Sequence, residues 1–141
     1  MLLAIDIGNT RIKYAVFENN TIIDNHFFLK EDFKNEIENI LNKYKKISDL
    51  IVASVGNIEK DAFLVFQNRL KIHFITHKDK FPFVNLYETP HTLGIDRIVL
   101  ASGATIMYPN QNRLVIDAGT CVTYDFVDSN DNYLGGAISP G

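Results

Sequence analysis

Two short segments of this 141-residue chain carry the same chemical groups in the same order. Asp6-Ile7-Gly8-Asn9-Thr10 and Asp117-Ala118-Gly119-Thr120 each place a carboxylate two residues before a glycine, with a threonine hydroxyl just behind. A carboxylate so placed can hold a hydrated Mg²⁺ or another cation. Glycine lets the backbone approach a ligand, and turn N–H groups with hydroxyls bind phosphate oxygens. Arg11 and Lys13 follow the first segment and would supply positive charge. Either segment alone also reads as a plain turn with an Asx hydrogen bond; the pair is what points to a phosphate site. A third constellation is Gly94-Ile95-Asp96-Arg97. A carboxylate at a helix start is favoured by the helix dipole. It can orient a hydroxyl and accept its proton, and a weak base suffices when the transition state of phosphoryl transfer is loose. The neighbouring guanidinium has the geometry to bind a carboxylate bidentately. Alone, this tetrapeptide reads more readily as an ordinary helix start with a surface ion partner.

These residues need elements to hold them. Leu2 to Ile7 is an apolar run ending in a turn cluster, which predicts a buried strand with Asp6 at its carboxyl end. Arg11 to Glu18 alternates, Asn19-Asn20 suits a hairpin turn, and Thr21 to Leu29 resumes strand-like residues, so a meander of three strands is expected. Phe33, Ile37, Ile40, Leu41 and Tyr44 then recur at helical spacing over 31–46. Asp49 to Val55 reads as a strand covered on both faces, Ile58 to Leu70 as a helix and Ile72 to Thr76 as a short strand. The order β-β-β-α-β-α-β predicts a mixed sheet with helices on its faces. From His77 to His91 the pattern dissolves into a long loop punctuated by Pro82 and Pro90. A helix follows from Gly94 or Ile95 to Tyr108, then strands over 114–118, 122–127 and 133–138. The last elements thus repeat the strand, Asp-x-Gly turn and strand of the first, implying two similar halves.

Composition narrows the functions. Apolar residues make up 46% and charged residues 22%, enough for a core and too apolar for a disordered tail. Fourteen basic and 17 acidic side chains give a net charge of −3, so no basic field argues for nucleic acid or an anionic membrane. The single cysteine, Cys121, excludes an internal disulfide and a cysteine-rich zinc site. No apolar run reaches the ~18 residues of a membrane span. Met1 to Asp6 lacks a basic segment and meets a carboxylate at once, reading as a strand and not a signal peptide. The expectation is a soluble, cytoplasmic α/β protein. His73 and His77 straddle a strand end and do not read as a metal pair. Phe27, Phe28, Phe63, Phe66, Phe74, Phe81 and Phe83 read most simply as core, and Cys121 as a small core residue. Phe81 and Phe83 could instead line a pocket under the long loop.

The paired motif resembles the superfamily of actin-like proteins, sugar kinases and heat-shock ATPases, in which two duplicated domains clamp a nucleotide. Tyr87-Glu88-Thr89-Pro90-His91-Thr92-Leu93-Gly94-Ile95-Asp96-Arg97 resembles the Tyr-x-x-Pro-x-x-Leu-Gly-x-Asp-Arg segment of the type III pantothenate kinases. Asp6 to Thr10 is similar to that family's opening phosphate motif. Asp117 to Thr120 and Leu134-Gly135-Gly136-Ala137-Ile138-Ser139-Pro140-Gly141 are similar to its later ones. The resemblance covers essentially the whole chain. It implies a ribonuclease-H-like (actin-like ATPase) fold, with a first domain over 1–90. A linker helix and the beginning of a second, truncated domain would occupy 91–141.

The implied activity is ATP-dependent phosphorylation of pantothenate to 4′-phosphopantothenate, the first step of coenzyme A synthesis. The resemblance implies ATP contacts from Asp6, Ile7, Gly8, Asn9, Thr10, Arg11, Ile12, Lys13 and Thr120. It implies pantothenate contacts from Tyr87, Gly94, Ile95, Asp96 and Arg97, with Asp96 as catalytic base. Asp117 would bind a monovalent cation, potassium or ammonium, and Asp6 could hold Mg²⁺ through water. A homodimer sharing its substrate site across the interface is implied too. Family members continue beyond Gly141, so the chain reads as an N-terminal fragment that could lack activity by itself. Its last three strands would then have one face uncovered unless a partner chain shields them. Two other functions remain: a non-catalytic regulatory member of the same family, and a ribonuclease-H-like nuclease. The nuclease would need several carboxylates around two metals.

Overall fold

The structure is a computed structural model that describes residues 1–55 and 60–141. The chain divides into two compact units, Met1–Ile75 and Thr76–Gly141. The expected boundary at residue 90 and this division differ by the segment 76–90. Its short strand Val84–Asn85 pairs with a strand of the second unit.

The first unit follows from alternation. Strand β1 (Leu2–Ile7) sends Leu3, Ile5 and Ile7 to one face, all buried. Strand β2 (Arg11–Glu18) adds Ile12 and Val16, and β3 (Thr21–Leu29) completes the meander. Asn19 and Asn20 both take positive φ, 48° and 65°, as the β2–β3 turn requires. Strand β4 (Asp49–Ser54) lies parallel to β1, and β5 (Lys71–Phe74) parallel to β4. The sheet order is β3-β2-β1-β4-β5.

Helix α1 (Phe33–Lys43) buries Phe33, Ile37, Ile40 and Leu41, one stripe at spacings of three and four. A 3₁₀ turn at Lys30–Asp32 precedes it, so the regular helix is shorter than the expected 31–46. The helix expected from Ile58 to Leu70 is a 3₁₀ segment over Lys60–Phe66; Ile58 lies outside the described residues. Phe63 and Phe66 from that segment join Phe33, with Phe33 and Phe63 edge to face at 4.8 Å and Phe63 and Phe74 at 5.1 Å. All of these side chains belong to one core cluster on one face of the sheet. On β4, Leu50 and Val52 enter that core while Ile51 stays half-exposed. Ala53, on the same face as Ile51, is buried, so the second face is covered in part. Phe27 departs from the sequence reading: it is 45% exposed, with the Arg11 guanidinium 4.6 Å from its ring centre.

Helix α1 is tied to β3 by Asp24, whose carboxylate accepts hydrogen bonds from Lys43 and Tyr44, each at 2.8 Å. The hydrogen bonds from Lys43 and Tyr44 hold the Asp24 carboxyl below its ordinary range. A carboxyl depressed on folding stabilises the protein above its unfolded pKa of about 3.9 and loses that contribution as pH falls through the folded value. Asp24→Asn should therefore lower the thermal midpoint at pH 6, and the gap between parent and variant should narrow progressively as pH falls below about 3.9. A gap that persists unchanged at low pH would show that charge plays no part.

The second unit is a four-stranded sheet of order β6-β9-β8-β7. Its strands are β6 (Val84–Asn85), β7 (Arg113–Ala118), β8 (Cys121–Val127) and β9 (Asn132–Pro140). The two-residue β6 lies inside the segment 77–91 expected as loop. Helix α2 (Ile95–Met107) packs on β7 and β8 through Ile98, Ala101 and Thr105. On the other face Leu114, Ile116 and Leu134 are more than half exposed. Cys121 is also exposed, not core. No helix among the described residues is long and apolar enough to cross a membrane.

Candidate functional site

In the first unit the candidate residues lie on the β1–β2 hairpin. The register pairs Asp6 with Lys13 and Ile7 with Ile12. Gly8 N–H donates to the Arg11 carbonyl at 3.1 Å and closes the turn. A Cβ on Gly8 would stand 3.2 Å from that carbonyl oxygen, so the tight turn favours glycine. Lys13 Nζ lies 3.8 Å from Asp6 Oδ2, both side chains well exposed. Ile7 and Ile12 are fully buried. Of residues 6–13, those two can offer a ligand only backbone groups, while Asn9, Thr10, Arg11 and Lys13 are exposed.

The second unit repeats this device. Gly119 N–H donates to the Cys121 carbonyl at 2.9 Å, closing the β7–β8 turn beside exposed Thr120. Pairing of Cys121 with Pro140 brings the Ser139-Pro140-Gly141 segment alongside, and Gly141 N–H donates to the Thr120 carbonyl at 3.3 Å. Asp117 is half-buried and pairs across β7–β8 with Thr123. Thr123 Oγ1 is buried and has no hydrogen-bond partner among the described residues. An orphaned hydroxyl oxygen opposite a carboxylate suits a cation with oxygen ligands.

The Tyr87 and Asp96 segments meet within the same unit. Gly94 precedes α2 with φ −57° and ψ 138°. Asp96 sits in the first turn, half-buried, and its Oδ1 accepts the Arg97 N–H at 2.8 Å. Ile95 is buried and anchors the turn. Arg97 does not reach outward as a surface partner. Only 7% exposed, it donates from Nε to Asp125 Oδ1 at 2.8 Å, and its Nη2 is 2.6 Å from the same oxygen. Tyr133 O–H donates to that oxygen as well. Burial works against the Arg97 charge, but the Asp125 carboxylate outweighs it and holds the guanidinium above its ordinary value. Burial, then the bond to Asp125, pushes the Tyr133 phenol up.

Tyr87 closes the group, edge-on to Tyr133 at 6.4 Å and against Gly135, where a Cβ would come within 3.3 Å of its ring. Gly135 takes φ +115°, a conformation L side chains rarely adopt. A Cβ on Gly136 would collide with the Tyr124 carbonyl oxygen at 1.7 Å and approach Arg97 Nη2 at 2.8 Å. Sequence reasoning missed Asp125 and Tyr133. They lie 28 and 36 residues from Arg97, and no local spacing marks them.

A family model described as type III pantothenate kinase matches residues 2–141. A protein from Flavobacterium johnsoniae named type III pantothenate kinase is 61% identical over 141 residues, covering all of this chain and 58% of that protein. This chain therefore spans 58% of the length of that curated relative. Among solved structures, a Campylobacter jejuni protein described as a candidate Baf family transcriptional activator is 26% identical. It aligns with 99% of this chain and 54% of its own, at a TM-score of 0.54. A Sinorhizobium meliloti protein described as a candidate 2-dehydro-3-deoxygalactonokinase is 15% identical. It covers 98% of this chain and 53% of its own, at a TM-score of 0.58. That likeness shows the fold alone, a mixed α/β arrangement.

Proposed function

Because the chain belongs to the type III pantothenate kinase family, we propose that it carries the phosphate-binding and acceptor-activating parts of an ATP-dependent kinase acting on the hydroxyl of pantothenate. The observation that carries this reading is the repeated hairpin. Two Asp-x-Gly turns, each at a strand end, are closed by a glycine N–H onto the strand that follows, at 3.1 Å and 2.9 Å. Such turns leave N–H groups and hydroxyls for phosphate oxygens.

In this proposal the exposed groups of residues 6–13 and Thr120 hold the ATP phosphates. Asp6 is placed to hold Mg²⁺ through water, and Asp117 with Thr123 to hold potassium or ammonium. Bound cations would supply charge neutralisation on the transferring phosphoryl group. Tyr87 and Gly94 to Arg97 form the pantothenate side. Asp96 takes the proton of the acceptor hydroxyl as that oxygen bonds to the γ-phosphorus and the bond to ADP breaks. The actin-like division into a first domain and part of a second, the homodimer and a cytoplasmic location belong to the same proposal.

Incubation with pantothenate, ATP, Mg²⁺ and K⁺, read by mass spectrometry, tests it. The chain should be assayed beside one extended to the relatives' full length. Phosphopantothenate from either supports the kinase; none from both overturns it in favour of a non-catalytic family member.

Gly94 offers a sharper check. A Cβ there would lie 2.4 Å from Asp96 Oδ1 and touch no rigid backbone that closely. Its backbone angles suit alanine. Gly94→Ala should therefore displace the Asp96 carboxylate while leaving stability within about 0.5 kcal/mol. Turnover should fall at least about tenfold, as expected when a proton acceptor is misplaced. Unchanged turnover in the folded variant would remove Asp96 from the reaction.

A further inference from the structure

Arg97 is one of two nearly buried arginines of the second unit, yet the proposed function uses it only as one of five substrate-side residues. Its partner Asp125 has no exposed surface. Asp125 stands on β8 and Tyr133 on β9, while Arg97 belongs to the first turn of α2. One carboxylate oxygen, Asp125 Oδ1, thus receives donors from a helix and from the neighbouring strand. The second oxygen, Oδ2, is buried with no hydrogen-bond partner among the described residues.

A buried ion pair is weak evidence for stability, because desolvating both charges costs about what their attraction returns. What such a pair does well is fix geometry. Guanidinium donors form a rigid fork, and a carboxylate held from two directions leaves the fork a single orientation. Asp96 immediately precedes Arg97, and its Oδ1 accepts the Arg97 backbone N–H. Whatever fixes Arg97 therefore fixes the turn that presents Asp96. Gly136 faces Asp125 across β8–β9 and leaves room for the guanidinium, since a Cβ there would press on Nη2.

We propose that Asp125 is a positioning residue: with Tyr133 it clamps the Arg97 guanidinium between β8, β9 and α2, and so sets the orientation of the Asp96 carboxylate. The role deepens the kinase reading and rests on it for its catalytic consequence.

Three variants and two readouts decide it. Asp125→Asn keeps the shape but removes the charge; Tyr133→Phe removes one donor and keeps the ion pair, so it folds if the first does not. Asp125→Glu restores the carboxylate on a longer arm. The first readout needs no activity. In ¹⁵N- and ¹³C-labelled protein, the Arg97 Nε–H should exchange slowly in the parent. In Asp125→Asn it should exchange at least tenfold faster, together with the amides of residues 95–98, and the Asp96 carboxyl ¹³C resonance should move. Tyr133→Phe should show the same changes to a smaller degree.

The second readout is kinetic. In the form that shows phosphoryl transfer, Asp125→Asn should lower kcat at least tenfold and Tyr133→Phe at least threefold. KM for pantothenate should change less than threefold, and Asp125→Glu should recover part of the loss. A raised KM with unchanged kcat would overturn the proposal, since the clamp would then serve substrate binding and not the orientation of Asp96. Unchanged exchange of residues 95–98 would overturn it as well. If the parent makes no phosphopantothenate, the kinase reading fails by itself, and the exchange and Asp96 resonance data still decide whether Asp125 positions that turn.

Discussion

Replacing Asp96 with asparagine should lower phosphoryl transfer by about 10²–10⁴-fold, the range expected when a positioned proton acceptor is removed. The substitution is nearly isosteric. The asparagine carbonyl oxygen can still accept the Arg97 N–H that Asp96 Oδ1 accepts at 2.8 Å. The first turn of α2 therefore keeps its local hydrogen bond, and Ile95 and Ile98 keep their burial. What disappears is the negative charge, favoured at a helix N-terminus, and with it the capacity to take a proton. Binding of pantothenate should change little, so the loss should appear in kcat. Rapid-quench or coupled turnover assays, with circular dichroism to confirm folding, measure both. Turnover within a few-fold of the parent would sink the assigned role.

The second large effect is structural. Arg113 is 5% exposed at the start of β7. Its guanidinium donates from Nη1 to the Thr105 carbonyl at 3.4 Å and the Tyr108 carbonyl at 3.1 Å, at the last turn of α2. From Nη2 it donates to Asp131 Oδ1 at 2.7 Å and to the Asp128 carbonyl, both in the β8–β9 turn. One side chain therefore caps the helix and holds the hairpin. Arg113→Met keeps the apolar stem but leaves those acceptors without their donor. Of these acceptors the Thr105 carbonyl is the buried one, and an unsatisfied buried acceptor costs about 1–3 kcal/mol, so a loss of about that size is expected. Chemical denaturation should show it as a lower midpoint with an unchanged slope. A loss under about 1 kcal/mol would mean water replaces the guanidinium at these carbonyls.

Where the local pattern is strong, the sequence reading and the structure agree closely. Strand β1 occupies Leu2–Ile7, β2 Arg11–Glu18 and β3 Thr21–Leu29, as read from alternation and the Asn19-Asn20 turn. Helix α2 begins at Ile95, placing Asp96 in its first turn as expected. The departures share a cause, since each depends on contacts between distant residues. Strand β6 has two residues and exists because β9, some 48 positions later, offers it a parallel edge. The segment Lys60–Phe66 carries a helical apolar pattern, yet it winds as 3₁₀ where Phe63 and Phe66 meet Phe33 and Phe74. Phe27 and Cys121 have core-like side chains and lie exposed, because strand faces are assigned only when sheets assemble.

The candidate site divides the same way. By itself the sequence determined the groups that could do chemistry: the two Asp-x-Gly turns, the Asp96 helix start and the order of the strands that carry them. Those signals are local, set by backbone preference and by periods of 2 and 3.6 residues. Only the tertiary structure decided that Ile7 and Ile12 face the core and that Thr123 Oγ1 stands unpartnered opposite Asp117. It also decided that Arg97 turns inward to Asp125 and Tyr133. A charged side chain's partner is chosen by burial, since an unpaired charge in the interior is too costly to persist. Burial is a property of the assembled fold, and no neighbouring residue in the chain records it.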